Sequence, residues 1–463
     1  MSGSDGSTAL DKFFGYSKRG STFGTEIRAG LTTFATMAYI LPVNMSILSA
    51  AGMDGGAVFM ATALSAVLGT VLMALLAKLP FALAPGMGLN AFFAYTVVLG
   101  MGETPAFALA AVLVEGLVFI ALSLTGIRTA LFNAIPRELK VAVSAGIGLF
   151  IMFIGLQNAG FIVADPATLV AINPDLSGAA VALAVIGLAI TIVLYLRKVK
   201  GALLIGILAT WALGMLAQLI GWYRVDIEAG FFSLFPSGII STPPSIMPTL
   251  GMCFGGFADA FSSPENIGRF VVVVLTFLYV DIFDTLGTLS GVATKANMLD
   301  EKGQLPGIKG ALTADAIATS AGAILGTSTV TTFVESSAGV EEGGRSGLTG
   351  LTTALCFLLS IFLFPIVGAI PGFATTCALV MVGIMMFEPL KDLEFKNPEH
   401  LVPAVITMAF MVMGYSISAG LMWGILSYLL VKITKAKFKD VSALMWVLGI
   451  LFLLKIFVLD LLV

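Results

Sequence analysis

Long runs without any charged residue recur along this chain, and they limit its fold more than any other feature. Eight of them occupy residues 29–53, 55–77, 79–102, 141–164, 176–196, 201–223, 346–387 and 401–431. A helix needs about 20 apolar residues to cross the hydrocarbon core of a membrane. Only 11% of the residues are charged, whereas a soluble domain has about 25%. We therefore predict an all-α polytopic membrane protein, in which the last two runs each fold back as a pair of spans.

The distribution of lysine and arginine predicts the orientation, because short cytoplasmic loops are enriched in both. Four basic residues precede the first span, segment 165–178 has none, and segment 223–268 has only Arg224. The basic residues of the predicted inner segments are Lys12, Lys18, Arg19, Arg28, Arg128, Arg137, Lys140, Arg197, Lys198, Lys200, Lys302, Lys309, Lys391, Lys396, Lys432, Lys435, Lys437 and Lys439. This alternation predicts a cytoplasmic N-terminus and fourteen spans by residue 433.

The two ends of the chain are read differently. The first 25 residues are polar and lack the apolar core of a signal peptide, so we expect them to form a cytoplasmic tail. Segment 441–463 is apolar but includes Lys455 and Asp460. It is either a fifteenth span or a helix that lies along the cytoplasmic interface.

Few features of the sequence point to a bound cofactor or metal. Cys253, Cys356 and Cys377 stand apart in apolar surroundings, so they predict neither a disulfide framework nor a metal site. The sequence has no GxxxxGK[ST] loop for nucleotide phosphates, so ATP-driven activity is unsupported. We expect no cofactor and no metal.

Two candidate spans are interrupted. Segment 83–95 reads LAPGMGLNAFFAY, and segment 326–344 reads GTSTVTTFVESSAGVEEGG. Non-helical backbone at membrane depth is tolerated only where protein or a water-filled cavity satisfies it, and paired interruptions in two halves of a chain point to a transporter binding site. The sequence ATALSAVLGT at 61–70 is echoed by AIATSAGAILGT at 316–327, each just before an interruption. This echo favours two related halves.

Acidic side chains within spans are costly and usually face a cavity or a pathway. The candidates are Glu115, Asp281, Asp284, Asp315 and Glu335. Asp281 and Asp284 are three residues apart and so share one helix face. We predict that Asp284, in the middle of its helix, and Glu335, at the second interruption, contact a ligand. Together with the amide of Asn90 in the first interruption, they suit a flat, neutral, hydrogen-bonding ligand.

The remaining acids have structural alternatives that stay open. Asp281 can bond between helices, Asp315 can orient a neighbouring interrupted helix, and Glu115 can pair with a polar group of another helix. Several aromatic residues near the interruptions are candidates for stacking on the ligand. They are Phe92, Phe93, Phe283 and Phe333.

Four segments resemble those of one known family. They read FGTEIRAGLTTFATMAYILPVN, LAPGMGLNAFFAY, YVDIFDTLGTLSGVA and TTFVESSAGVEEGGRSGLTG. In this order, over about residues 23–433, they are similar to the AzgA-like purine permeases of the nucleobase–ascorbate transporter superfamily. The resemblance implies fourteen transmembrane segments in a seven-plus-seven inverted repeat, with core and gate domains and two broken helices with short strands, usually in a homodimer. It also implies proton-coupled import of hypoxanthine, guanine or adenine across the cell membrane, with no enzymatic activity and no nucleic acid partner.

The same resemblance divides the chain and assigns its site. The expected units are a tail at 1–25, core parts at 26–126 and 269–369, gate parts at 127–223 and 370–434, an extracytoplasmic loop at 224–268, and a C-terminal basic loop and apolar helix at 435–463. The substrate contacts implied by the motifs are Asn90, Asp284, Glu335, Phe333, Thr36 and Thr288. The eighth-span acid is Asp284 here, whereas the uracil and xanthine branches typically have Glu. Proton carriage by Glu335, Asp284 or Asp315 stays open.

Two other classes of protein fit less well. An intramembrane aspartic hydrolase needs two acids close enough to share a proton across facing elements, but Asp281 and Asp284 share one helix. An anion exchanger or channel needs a cationic or dipolar pocket, and the acids of this site would repel an anion. The preferred purine and the use of sodium instead of protons stay open.

Overall fold

The computed structural model describes residues 9–125, 136–225, 232–295, 298 and 305–454. Four charged residues that were used to predict the topology lie outside these ranges, namely Arg128, Lys302, Lys455 and Asp460. Within the described ranges, nine helical segments are long and apolar enough to cross a membrane, and Met87–Gly100 and Pro398–Met413 are shorter apolar helices. The prediction of a mostly helical, polytopic membrane protein is confirmed at this level.

The first half of the chain forms helices joined by short connections. They are α1 (Ala9–Phe14), α2 (Phe23–Met37), α3 (Ile40–Ala50), α4 (Gly55–Leu72), α5 (Met87–Ala91), α6 (Pro105–Thr125), α7 (Arg137–Asn158), α8 (Ala179–Leu196) and α9 (Ala202–Leu219). α4 and α5 continue as the π-helical segments Met73–Ala77 and Phe92–Gly100. Thr22 and Asp54 cap the N-termini of α2 and α4 by accepting backbone N–H groups.

The second half of the chain is also mostly helical. Its helices are α10 (Met252–Ala260), α11 (Pro264–Lys295), α12 (Ile308–Leu325), α13 (Ser336–Glu341), α14 (Gly347–Ser360), α15 (Phe364–Val367), α16 (Gly372–Met385), α17 (Pro398–Met413), α18 (Ile417–Thr434) and α19 (Ala443–Leu454). The 3-10 turns are Ser17–Arg19, Ile361–Leu363, Glu388–Asp392 and Phe438–Asp440. Runs 346–387 and 401–431 each fold into two helical arms, as predicted. α10 lies inside segment 224–268, where the sequence predicted only a loop.

The described part of α19 leaves the placement of the C-terminal segment open. It has 12 residues, or about 18 Å at 1.5 Å per residue, which is shorter than the hydrocarbon core. Met445 of α19 is fully buried, and Gly449 faces Leu429 of α18. The helix therefore packs against α18, the last predicted span.

Residues 162–172 form a β-hairpin that the sequence analysis did not predict. β2 (Ile162–Asp165) pairs antiparallel with β3 (Leu169–Ile172), so the charge-free run 141–164 is helical only as far as Asn158. Asp165 accepts the backbone N–H groups of Ala167 and Thr168 at 2.9 and 2.8 Å. The backbone and side-chain hydrogen bonds from Thr168 hold the pKa of Asp165 below its usual value, and they close the hairpin turn.

The two interrupted segments meet as a pair of short strands. β1 (Leu83–Pro85) pairs antiparallel with β4 (Val330–Thr332), with Ala84 opposite Thr331. One further backbone hydrogen bond flanks the pair at each end, from Gly86 N to Thr329 O and from Phe333 N to Ala82 O, both at 3.0 Å. The strands thus satisfy the backbone groups that the interruptions leave outside any helix.

The helices that precede the two strands hold them in equivalent ways. Thr70 at the end of α4 exchanges hydrogen bonds with both backbone groups of Leu83 in β1, at 3.0 and 3.2 Å. Thr319 of α12 donates to the carbonyl of Val330 in β4 at 3.0 Å. Thr70 lies within the first of the two similar segments and Thr319 within the second. Thr70 aligns with Thr327 rather than with Thr319 in the echo, so the anchoring of each strand by a threonine is a feature of the fold and not of the repeated sequence.

Glu26 of α2 caps a helix that lies more than 300 residues away in sequence. Its fully buried carboxylate accepts the backbone N–H groups of Arg345, Ser346 and Thr349, and the hydroxyls of Ser346 and Thr349, at 2.7–3.2 Å. These donors surround the N-terminus of α14, where the unpaired N–H groups favour an anion. The first predicted span is thereby fixed to the segment that follows the second interruption.

Replacing Glu26 by Gln is expected to lower the free energy of unfolding by about 2–3 kcal/mol, because hydrogen bonds to a charged group are worth about 1.5–3 kcal/mol and the buried donors lose their anion. The measurement is thermal unfolding of the purified protein in detergent. Glu342→Gln is the matched control, since Glu342 is partly exposed and pairs only with exposed Lys200, a contact worth at most about 1 kcal/mol. Equal destabilisation by both substitutions would contradict the capping role.

Candidate functional site

The strand pair brings the predicted ligand residues of both interruptions to one place. Asn90 lies in α5, five residues beyond the end of β1, and Glu335 lies three residues beyond the end of β4, immediately before α13. Asp284 approaches from the middle of α11. The three residues predicted to contact ligand therefore come from three elements that meet around the strand pair.

Gly86 allows Asp284 to lie against the backbone between β1 and α5. A Cβ atom at Gly86 would lie 2.7 Å from Cγ2 of Thr331 and 3.2 Å from Oδ2 of Asp284. No larger residue fits there unless the strand or the carboxylate moves. Thr331 of β4 also interacts with the Asp284 carboxyl, so the side chain of Asp284 is held between the two interruptions.

Glu335 is positioned by a tyrosine that the sequence analysis missed. The hydroxyl of Tyr39, between α2 and α3, donates to Oε1 of Glu335 at 2.5 Å, and the Thr36 hydroxyl is 3.5 Å from the Glu335 carbonyl. Tyr39 is almost fully buried, whereas Glu335 and Asp284 are partly accessible. Tyr39 lies within the quoted motif TFATMAYILPVN, but its pairing with Glu335 depends on a contact across 296 residues.

Asn90 presents an unused hydrogen-bond acceptor. Its side chain is fully buried, and its Nδ2 donates to the carbonyl of Pro85 at 3.3 Å. Its Oδ1 is buried without a hydrogen-bond partner among the described residues. A buried amide oxygen left unbonded costs about 1–3 kcal/mol, so this atom is suited to accept a hydrogen bond from a ligand.

The other predicted contacts divide into two groups. Phe333, between β4 and Glu335, is nearly buried, and Thr288 lies partly buried one turn beyond Asp284. Phe92 and Phe93 are fully buried, and Phe92 packs edge-on against Phe277 at 4.8 Å between ring centroids. Phe92 and Phe93 both belong to the buried apolar core, and their stacking on a ligand stays a prediction. The side chain of Phe283 lies outside the described residues.

The remaining acids are all fully buried behind the strand pair. Asp281 and Asp315 both contact the hydroxyl of Thr285, at 2.9 Å and at 3.0–3.1 Å. Glu115 of α6 accepts from the hydroxyl of Thr329, next to β4, at 2.8 Å. Glu115 thus has the structural pairing that the sequence left as an alternative, although its partner precedes a strand rather than lying in a helix.

The region is strongly acidic. Asp284 interacts electrostatically with Asp315 and Glu335, and Tyr39 with Glu335 and Asp284. Among the buried side chains that the structure describes, the only basic one is Lys432, which pairs with Glu399 at 3.5 Å, at the end of α18. Such a set of acids can bind a neutral ligand that donates hydrogen bonds, but it repels anions.

These features place the chain in a class of membrane transporters. A family model described as "Permease family" matches residues 24–423. The chain therefore belongs to this permease family and is a transporter rather than an enzyme.

Named relatives match over almost the whole chain. The guanine/hypoxanthine permease PbuG of Bacillus subtilis is 43% identical and is aligned over 96% of this chain and 99% of its own length. The adenine permease AdeP of Escherichia coli is 40% identical, over 98% of this chain and 97% of its own length. The resemblance to purine permeases in the four sequence motifs is confirmed.

Solved structures show the same fold at low identity. The transmembrane domain of the cyanobacterial bicarbonate transporter BicA superposes with a TM-score of 0.62 and 15% identity, over 86% of this chain and 97% of that chain. At this identity the likeness concerns the fold alone. The chemistry of the site must be argued from its own residues.

Replacing Tyr39 by Phe should weaken substrate affinity about tenfold, because it removes one hydrogen bond to a carboxylate while it keeps the ring that fills the core. Affinity is measured from the concentration dependence of uptake. Tyr428→Phe in α18 is the matched control, because Tyr428 is nearly as buried but lies outside the site. Unchanged affinity in the Tyr39 variant would show that Tyr39 does not position Glu335.

Proposed function

We propose that the chain is a proton-coupled symporter that imports purine nucleobases, among hypoxanthine, guanine and adenine, across the cell membrane. The single observation that carries this proposal is the buried, unbonded Oδ1 of Asn90 beside two partly accessible carboxylates, those of Asp284 and Glu335. Its relatives named for purine transport, PbuG and AdeP, support the same substrate class.

The hydrogen-bonding pattern of a purine suits these groups. Ring N–H groups donate to carboxylates, and an exocyclic amine or a further N–H group donates to an amide oxygen. Phe333, next to Glu335, provides an aromatic side chain for stacking on a flat ring, and Thr36 and Thr288 complete the proposed substrate contacts. Asp284 is the central ligand acid, because α11 presents it directly to the strand pair.

An anion substrate is the competing hypothesis, since BicA shares the fold. The charges of this site favour the purine. Asp284 interacts with two further acids, Asp315 and Glu335, and like charges in a buried site disfavour another anion. A neutral purine avoids this repulsion and uses the same oxygens as acceptors.

Concentrating a neutral base requires a coupled ion. One proton that moves down a membrane potential of about 150 mV releases about 3.5 kcal/mol, which supports a gradient of a few hundred-fold. The candidate carriers are Glu335, Asp284 and Asp315. Of these, Asp315 is fully buried behind the strand pair, so it can hold a proton without contacting the purine.

The proposed architecture is a seven-plus-seven inverted repeat of fourteen spans. Nine candidate spans are joined by five further segments in the proposed count, namely 83–100, 264–295, 308–325, 326–341 and 398–413. The antiparallel β1–β4 pair supports a two-fold relation between 26–126 and 269–369, the proposed core parts. Gate parts at 127–223 and 370–434, a cytoplasmic N-terminus and a homodimer complete the proposal.

The exposed surface of α8 indicates where the proposed gate contacts lipid. Only 28% of the residues of α8, in the first proposed gate part, are buried within the chain. Because α8 is strongly apolar, with a mean hydropathy of 2.7, its exposed surface must be covered by lipid or by another subunit. Lys200, between α8 and α9, pairs with Glu342 beyond α13, so an ion pair links the proposed gate to the proposed core.

Asp284→Asn and Glu335→Gln should each abolish uptake of radiolabelled hypoxanthine while the protein still reaches the membrane. Removing one buried, hydrogen-bonded charged partner costs about 2–5 kcal/mol of binding, and neither acid caps a helix as Glu26 does. Uptake into cells that lack their own purine permeases is the measurement.

Glu265→Gln is the control, because Glu265 lies near the start of the same helix as Asp284 but pairs on the surface with Arg269. Near wild-type uptake by either site variant would refute its assignment as a ligand residue.

A further inference from the structure

One hydroxyl group in the core lies between two buried carboxylates. Oγ1 of Thr285 in α11 is 2.9 Å from Oδ1 of Asp281, one turn earlier in the same helix. It is also 3.0 and 3.1 Å from the two carboxylate oxygens of Asp315 in α12. All three side chains have no exposed surface. The hydroxyl therefore bridges the two aspartates across a helix interface.

The number of available protons limits how this arrangement can be satisfied. A threonine hydroxyl donates one hydrogen bond and accepts up to two, whereas an ionised carboxylate only accepts. The single Thr285 proton can serve Asp281 or Asp315, but not both at once. The second contact is a hydrogen bond only if that carboxyl group has its own proton and donates it to Thr285.

The third neighbour of the hydroxyl does not remove this shortage. Oγ1 of Thr331 in β4 is 2.9 Å from Oγ1 of Thr285. If Thr331 donates, then Thr285 is fully satisfied by donating to one aspartate and accepting from the other. If Thr331 accepts, the proton of Thr285 is used and both aspartates need protons of their own. Every arrangement in which all contacts are hydrogen bonds therefore includes at least one protonated aspartate.

Further acidic side chains surround this position. Asp284 on α11 interacts with Asp315, Glu335 follows β4, and Glu115 of α6 bonds to Thr329 just before that strand. The one basic side chain among the described buried residues, Lys432, belongs to α18 and pairs with Glu399. Acids thus face this cluster from several elements.

We propose that Asp281, Thr285 and Asp315 form a proton-holding relay, in which the two aspartates share one proton through the Thr285 hydroxyl. Thr331 contacts both Thr285 and the ligand acid Asp284, so it connects the relay to the purine site. In this scheme a proton moves from one relay carboxyl group to the Thr285 oxygen as the Thr285 proton moves to the other carboxylate, which leaves the hydroxyl intact. The inference rests on the proposed purine symport and adds Thr285 and Asp281 as positioning residues for the coupling proton.

The test uses Thr285→Val, which removes the hydroxyl and keeps the branched shape. In sodium-free proteoliposomes, the variant should lose about tenfold in pH-driven accumulation of hypoxanthine, the size expected for a hydrogen bond to a charged group. Hypoxanthine exchange between the two sides and equilibrium binding should remain, and Thr285→Ser should restore accumulation. Thr276→Val is the control on the same helix, because Thr276 bonds only to the backbone of Val272 at 2.8 Å.

Three results would overturn the relay. The first is that Thr285→Val accumulates hypoxanthine to the wild-type level with the same pH dependence. The second is that this variant loses hypoxanthine binding. The third is that accumulation by the unmodified protein depends on sodium and does not respond to pH. If the wild type exchanges no purine at all, the proposed function fails instead. In that case the relay can still be tested by a measurement made without substrate. Infrared difference spectra should show the carbonyl band of a protonated carboxylic acid changed by Thr285→Val but not by Thr276→Val, and identical spectra would refute it.

Discussion

A pair of three-residue strands is the contact on which the rest of the site depends. Two interrupted helices in a membrane leave backbone N–H and C=O groups that lipid cannot satisfy. β1 and β4 satisfy these groups by pairing with each other, and the pairing places Asn90 and Glu335 on either side of the same short sheet. Gly86 then lets Asp284 lie against the junction. The predicted ligand residues are therefore positioned by the strand pairing that satisfies the backbone of both interruptions.

Buried charge in this protein is used in two distinct ways. Glu26 is surrounded by five hydrogen-bond contacts at a helix N-terminus, so its negative charge is stabilised locally and holds two segments together. Asp281 and Asp315 are linked instead by one shared hydroxyl, that of Thr285. The first arrangement joins two distant segments of the chain, and we propose that the second holds the coupling proton. All three carboxylates are fully buried, so the depth of burial does not distinguish the two arrangements.

The sequence predicted the parts of this architecture that local patterns control. Charge-free runs gave the helices, and the proline, glycine and threonine clusters at 83–95 and 326–344 gave the two interruptions. The sequence could not predict the register of β1 with β4, the contact of Tyr39 with Glu335, or the cap that Glu26 provides, because each joins residues roughly 250–320 positions apart. The hairpin at 162–172 was missed because its strands of four residues are too short for their alternation to stand out beside an apolar helix. The division into core and gate and the roles of the ligand residues stay predictions.

We propose that the acidic site of this fold binds a neutral purine rather than an anion. Thermal unfolding of the purified protein tests it directly, because a ligand that binds the native state raises the unfolding temperature by mass action. Hypoxanthine, guanine or adenine should raise that temperature in a concentration-dependent way, while bicarbonate and sulfate at the same ionic strength should not. Asp284→Asn should abolish the effect of the purine. Stabilisation by bicarbonate or sulfate, with no response to any of the three purines, would contradict the account.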